Sequence, residues 1–168
     1  MPGVARSRPI SGAFRYRHPI EIRYVDTDAL GHVNNAVYFS YFEAARAGYY
    51  EQISGHPFGT GPGADKRTFV IAEAHITYRQ PALFGEPLSC ACRVSWLGRS
   101  SFGLDYRVEV EGSSIGEARV VADGSTVQVF YDLEAGSVMR MPTELLERFA
   151  EYEGRELPTR AVEARSQG

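Results

Sequence analysis

The chain is short of sulphur, with two cysteines and three methionines in 168 residues. Cys90 and Cys92 stand two apart in a segment that alternates like a strand, so both side chains point to one face and are poorly placed to join each other. No disulfide framework follows, and the pair reads as two small buried apolar residues. Long hydrophobic runs are also missing. No stretch approaches the roughly 20 apolar residues needed to cross a bilayer. The first segment carries Arg6, Arg8, Arg15 and Arg17 without the apolar centre of a signal peptide. Charge of one sign is missing too. Lys and Arg number 18 against 21 Asp and Glu, a net of −3, which speaks against nucleic acid or an anionic membrane as partner. Phosphate-binding glycine loops, serine elbows and zinc-type clusters do not occur, so no metal is expected. These absences leave a cytoplasmic globular protein.

What is present is aromatic. Ten Tyr and nine Phe suit a β-rich core or an aromatic-lined pocket. Ile20-Glu21-Ile22-Arg23-Tyr24 has the period of a half-buried strand. After Val25-Asp26-Thr27-Asp28 and a loop with Gly31, residues from Asn34 or Asn35 to about Ile53 favour a helix, either asparagine serving as N-cap. Tyr38, Phe39, Tyr41, Phe42, Ala44, Ala45, Tyr49, Tyr50 and Ile53 cover most of that helix, leaving a narrow polar stripe near Glu43 and Arg46. A helix apolar almost all round belongs inside something.

Residues 55–65, rich in Gly and Pro, read as a loop. Four alternating segments follow: Phe69–Tyr78, Leu88–Trp96, Phe102–Val110 and a long one from Ile115 to Asp132, kinked or bulged near Asp123-Gly124. Gly112-Ser113-Ser114 marks a hairpin turn. A short helix is expected after Pro142, with Leu145, Leu146 and Phe149 on its apolar side. The expected layout is a flexible arm over 1–15, one domain over 16–153 and a polar, loose tail over 154–168. One buried helix followed by an antiparallel meander gives an α+β fold, a curved five-stranded sheet around a central helix.

The most informative segment runs Asp26-Thr27-Asp28-Ala29-Leu30-Gly31-His32-Val33-Asn34-Asn35-Ala36-Val37-Tyr38, closing with Tyr41-Phe42-Glu43-Ala44-Ala45-Arg46. It resembles, without a gap, the strand-to-helix junction of the 4-hydroxybenzoyl-CoA thioesterase-like branch of the hot-dog superfamily. The resemblance extends more weakly through Tyr78-Arg79-Gln80-Pro81-Ala82 and Phe84-Gly85-Glu86. It implies a hot-dog fold, hydrolysis of an acyl-CoA or acyl-carrier thioester, no cofactor beyond the CoA carried by the substrate, and assembly as a homodimer or homotetramer. The family's catalytic aspartate falls on Asp28. Its polarising backbone N–H falls in the first turn of the helix, at Asn35 or a neighbour.

Thioester hydrolysis needs a carboxylate near the carbonyl carbon, as nucleophile or as base for water. It also needs donors aimed at the developing oxyanion. A carboxylate in the loop before a helix N-terminus has both within reach. His32 is placed to orient substrate or loop, and Asn34 and Tyr38 to shape the pocket. The resemblance sets Gly98-Arg99-Ser100-Ser101-Phe102 where CoA contacts commonly fall, with Arg99, Ser100 and Ser101 as the grip. Asp26 reads as structural, a turn-stabilising group or a partner for Arg23. Glu43 and Arg46 read as a helical ion pair, and Glu73 as an edge or dimer-contact residue rather than a second catalytic carboxylate. Two competing readings are a non-catalytic acyl-thioester binder and a 3-hydroxyacyl thioester dehydratase relying on His32.

Overall fold

The computed structural model describes residues 8, 10–59, 61 and 66–160. Its elements in chain order are β1 (Tyr16–Ile20), a 3-10 turn (Tyr24–Asp26), α1 (Val37–Ser54), β2 (Arg67–Tyr78), β3 (Leu88–Leu97), β4 (Ser101–Val110), β5 (Arg119–Asp132), β6 (Ser137–Val138) and α2 (Thr143–Glu153). The strands form one antiparallel sheet in the order β1-β3-β4-β5-β2, with β6 added to β5. That is the hot-dog arrangement of one long helix and a five-stranded sheet, extended by a two-residue hairpin strand. Among the described residues no helix is long and apolar enough to cross a membrane.

Three boundaries differ from the sequence expectation. The first strand lies at Tyr16–Ile20, paired from Tyr16↔Cys92 to Ile20↔Leu88, and not at 20–24. The in–out alternation does continue to a buried Ile22. Ladder pairing stops earlier, because the Asp26 carboxylate draws in the Arg23 backbone N–H (2.9 Å) and bends 24–26 into a 3-10 turn. β5 begins at Arg119, after a turn in which Ser113 N–H donates to Gly116 O. The tail is docked as far as residue 160. Leu97 N–H donates to Pro158 O and Arg160 N–H to Leu97 O, and Leu157 is buried. Residues 161–168 lie outside the described residues.

The chain falls into two compact units, residues 1–49, 75–93 and 105–125, and residues 50–74, 94–104 and 126–168. In the first, Phe42 of α1 stacks on Tyr106 of β4 (centroids 4.3 Å apart, planes 10° apart). Gly124 of β5 allows a close approach there. A Cβ at this position would fall on the His75 carbonyl oxygen and lie 2.9 Å from the Phe42 ring. The kink or bulge expected near Asp123-Gly124 does not interrupt β5, which runs as one strand through both residues; what marks Gly124 is that no side chain fits there. Cys90 and Cys92 are buried and are not joined in a disulfide.

The N-terminal arm is held from Ile10 onward. Arg93 donates to Ser11 O (2.7 Å) and Ala13 O (3.1 Å), Arg107 donates to Ile10 O, and both guanidinium groups lie over the Phe14 ring. Residues 1–7, part of the arm expected to be loose, lie outside the described residues. In the second unit an aromatic chain links Tyr50 to Phe69, Phe69 to Phe102 and Phe102 to Phe149, at 5.2–5.4 Å between centroids. Helix α2 follows Pro142, buries Leu145 and Phe149, and ends on Gly154 in the left-handed region, where glycine costs least.

Candidate active site

The segment before α1 folds as a tight hairpin. Thr27 pairs with Val33, Asp28 N–H donates to His32 O (3.0 Å), and Gly31 N–H donates to Asp28 O (3.0 Å). Gly31 has φ +81°, a conformation that L side chains rarely adopt. The Asp28 carboxylate accepts the Leu30 N–H on Oδ1 (2.9 Å), and His32 Nδ1 stands 3.7 Å from the same oxygen. Both side chains are accessible, at 25% for Asp28 and 33% for His32. Oδ2 of Asp28 has no partner among the described residues.

Asn34, not Asn35, is the cap. Its Oδ1 accepts the Ala36 N–H (2.9 Å) and its carbonyl accepts the Val37 N–H (3.0 Å). Its own N–H donates to Asp26 O (2.8 Å). The Oδ1 of Asn34 is thereby committed to the backbone, on a residue that is itself exposed. Asn35 sits in the following turn, its carbonyl accepting the Tyr78 hydroxyl (2.7 Å). Its N–H has no acceptor among the described residues.

Two buried carboxylates hold this hairpin. Asp26 is 1% exposed and binds Arg23 through the backbone N–H, Nε and Nη2, and also accepts from the Tyr41 hydroxyl (3.3 Å). The Arg23 hydrogen bonds outweigh burial and hold the Asp26 carboxyl below the usual carboxylate range. The structural role read for Asp26 is therefore what the geometry contains. Glu86 is buried and takes Arg119 in a fork (2.9 and 2.7 Å) together with the Leu83 N–H (2.8 Å). Burial pushes this carboxyl up, but the Arg119 and Leu83 donors outweigh it, and the net direction is down. Arg119 also donates to Pro81 O (2.8 Å). The turn it clamps touches the hairpin twice, through Val33 N–H to Ala82 O (2.9 Å) and the bridge of His32 with Leu83. Arg79 and Asp123 form a third buried pair nearby (Nη2–Oδ1 3.0 Å). Sequence reasoning did not single out Arg119, and marked Asp123 only as the place of a kink. Arg79 and Glu86 fall in the segments that resemble the family, but their partners lie 44 and 33 residues away, beyond any local pattern.

Asp28, His32, Asn34, Asn35 and Tyr38 all belong to the first unit. Tyr38 is buried, edge-on to Tyr41 and Tyr78. Desolvation pushes its hydroxyl up to about 12, in keeping with a side chain that is only 2% exposed. Arg99, Ser100 and Ser101 belong to the second unit. Arg99 is exposed and Ser100 half-buried, while Ser101 is buried at the start of β4 with its hydroxyl unpartnered. Ser101 therefore faces inward and cannot grip a solvent-borne ligand.

The expected Glu43–Arg46 pair does not form. Glu43 is exposed, whereas Arg46 is 5% exposed and donates to the Tyr106 hydroxyl (3.3 Å). Position 46 shares the inward face with Phe42 and Tyr49, so its long side chain follows them into the core. Glu73 is exposed on β2. Among the described residues no group of three or more His, Cys, Asp or Glu is gathered as metal ligands would be.

The family described as the thioesterase-like superfamily matches residues 22–149. A curated relative, the long-chain acyl-CoA thioesterase FadM of Escherichia coli K12, is 30% identical over 129 residues, which is 77% of this chain and 92% of that protein. A solved thioesterase from Thermus thermophilus, complexed with coenzyme A and zinc, superimposes with TM-score 0.68 at 34% identity, covering 86% of this chain and 98% of the other. A thioesterase-superfamily structure from Jannaschia sp. CCS1 superimposes with TM-score 0.75 at 21% identity, covering 88% of each chain, a likeness of fold.

Proposed function

As a member of the thioesterase-like superfamily the chain is a thioester hydrolase, and we propose that it cleaves acyl-CoA with Asp28 as the reacting carboxylate and the Asn35 N–H as oxyanion donor. The observation that carries this reading is local. One hairpin presents a carboxylate oxygen and a backbone N–H that are both without partners among the described residues, at the start of a helix whose dipole favours negative charge. Two sequences of steps fit. As base, Asp28 takes a proton from water, whose oxygen adds to the carbonyl carbon. The oxyanion rests on the Asn35 N–H until it collapses and expels the CoA thiolate. As nucleophile, Asp28 adds directly, CoA thiolate leaves, and water opens the acyl–Asp anhydride to the free acid. In the first route the thiolate takes up the proton that Asp28 drew from water; in the second, where Asp28 is acylated and holds no proton, it takes one from solvent.

His32, close to Asp28 Oδ1, keeps the loop in register, and Arg99 with Ser100 is the proposed grip for CoA phosphates. No other cofactor or metal is invoked. The Asp28 hairpin is an open shelf, and we propose that a second copy completes it. Strand β2 is an edge strand whose Val70 and Ile71 are 45% and 46% exposed. An apolar edge of that kind invites pairing with another copy.

The test is release of free thiol from a panel of acyl-CoAs and acyl-carrier thioesters by the wild type and by Asp28→Asn. The expected result is turnover by the wild type and its loss by at least about a hundredfold in Asp28→Asn, with CoA-ester binding retained. Retained activity in the variant sinks the assignment. Oxygen-18 found in Asp28 after a single turnover in labelled water establishes the nucleophilic route, because water adding to the Asp28 carbonyl of the anhydride leaves its oxygen there, whereas general-base hydrolysis puts the label only in the product acid. Binding without thiol release would favour the non-catalytic alternative, and water loss from a 3-hydroxyacyl thioester the dehydratase.

A further inference from the structure

Large apolar side chains stand exposed around the Asp28 hairpin. Tyr24 is 80% exposed, Val25 76%, Leu30 77% and Phe84 55%. Scattered exposed apolar residues are ordinary, but a contiguous group beside a reacting centre marks a binding surface. Continuity is shown by contacts. His32, next to Asp28, bridges to Leu83. Leu83 precedes Phe84, and the Phe84 ring meets the Tyr24 ring edge-on at 5.9 Å. From Phe84 a groove continues between residues 19–22, at the end of β1, and residues 84–87, just before β3, walled by Pro19, Ile20, Ile22, Phe84 and Pro87. Its carboxylates are Glu21 and Glu86, and Glu86 is already taken by Arg119.

We infer that this groove receives the hydrocarbon tail of a long aliphatic acyl group whose thioester lies at Asp28. The inference rests on the hydrolase reading above and specifies its substrate. Two observations select a hydrocarbon. The side chains lining the groove carry no hydrogen-bond donor. The unpaired charge at the groove is the exposed Glu21, which repels the phosphates of CoA or an anionic lipid surface. An aromatic acyl group would end at the Tyr24–Phe84 pair and leave the groove beyond it empty.

The experiment compares kcat/KM for butanoyl-CoA and hexadecanoyl-CoA in the full-length wild type, Phe84→Ser and Tyr24→Ser. Both positions are exposed, so folding is not at stake, and circular dichroism checks this. The wild type is expected to prefer the longer ester. In either variant the long-to-short ratio is expected to fall by on the order of tenfold, the effect of about two methylenes returned to water. A wild type that hydrolyses both esters equally, or variants that lose both in proportion, overturns the groove while leaving the hydrolase reading intact. A wild type that hydrolyses neither ester, nor any other in the panel, removes the hydrolase reading and the inference with it. Size-exclusion chromatography run alongside supplies the remaining outcome. If either substitution changes the oligomeric state and not the chain-length ratio, the surface belongs to a second copy and the inference is wrong.

Discussion

Asp26 and Asp28 are two residues apart and do opposite things, and the difference lies in their donors. Asp26 is buried and saturated by Arg23 and Tyr41, whereas Asp28 keeps one oxygen unpartnered on an accessible shelf. Because the Arg23 side chain is 66% exposed, its ion pair alone is weak. The backbone N–H and the buried Tyr41 hydroxyl carry much of what Asp26 contributes. Asp26→Ala is expected to cost roughly 1–3 kcal/mol at neutral pH, measured by urea unfolding.

The folded Asp26 carboxyl is held below its ordinary value. Its contribution is therefore complete above the unfolded pKa of about 3.9 and disappears as pH falls through the lower folded one. Wild-type stability should consequently decline more steeply than that of Asp26→Asn on going from about pH 5 toward acid. Parallel declines would show that Asp26 is not held down. The structural role of Asp26 was legible in sequence, since its partner Arg23 lies three residues away in the same short motif. The buried pairs Glu86–Arg119 and Arg79–Asp123 were not, because ion pairing across a sheet depends on register rather than spacing.

At the scale of elements, α1 was the most legible feature and its polar residues the least. Counting apolar positions finds a buried helix, but it does not show that Arg46 follows the inward face while Glu43 turns out. Asn34 and Asn35 were interchangeable as caps on paper. The Ala36 N–H, donated to the Oδ1 of Asn34, decides between them. The first strand was displaced by one short segment because alternation continues into Ile22 after the ladder has ended. β5 shows the reverse, a glycine whose meaning needs three dimensions. Gly124→Ala would set a methyl against the His75 carbonyl, and backbone cannot step aside as a side chain does. A loss of about 3 kcal/mol, at the upper end for overpacked cores, is expected in thermal or urea unfolding. A neutral result would mean that β2 and β5 are free to part at that point.

The whole molecule raises the question of its edges. β2 ends the sheet with apolar side chains in water, and pairing with a second copy is the proposed remedy. Val70→Asp should then shift sedimentation from dimer or tetramer toward monomer and lower thioesterase activity with it, since a half-built shelf would be left behind. A variant that keeps its assembly shows that another surface joins the copies.

Trp96 is the chain's only tryptophan. Its indole lies over Gly103, where any Cβ would collide with it, and the Arg160 guanidinium covers its ring at 5.2 Å. Intrinsic emission at the indole wavelength is thus a built-in optical gauge of whether the C-terminal segment is seated. A chain cut after Pro158 should emit further to the red, and in the intact protein the same signal would time the landing of that segment during folding without any added dye.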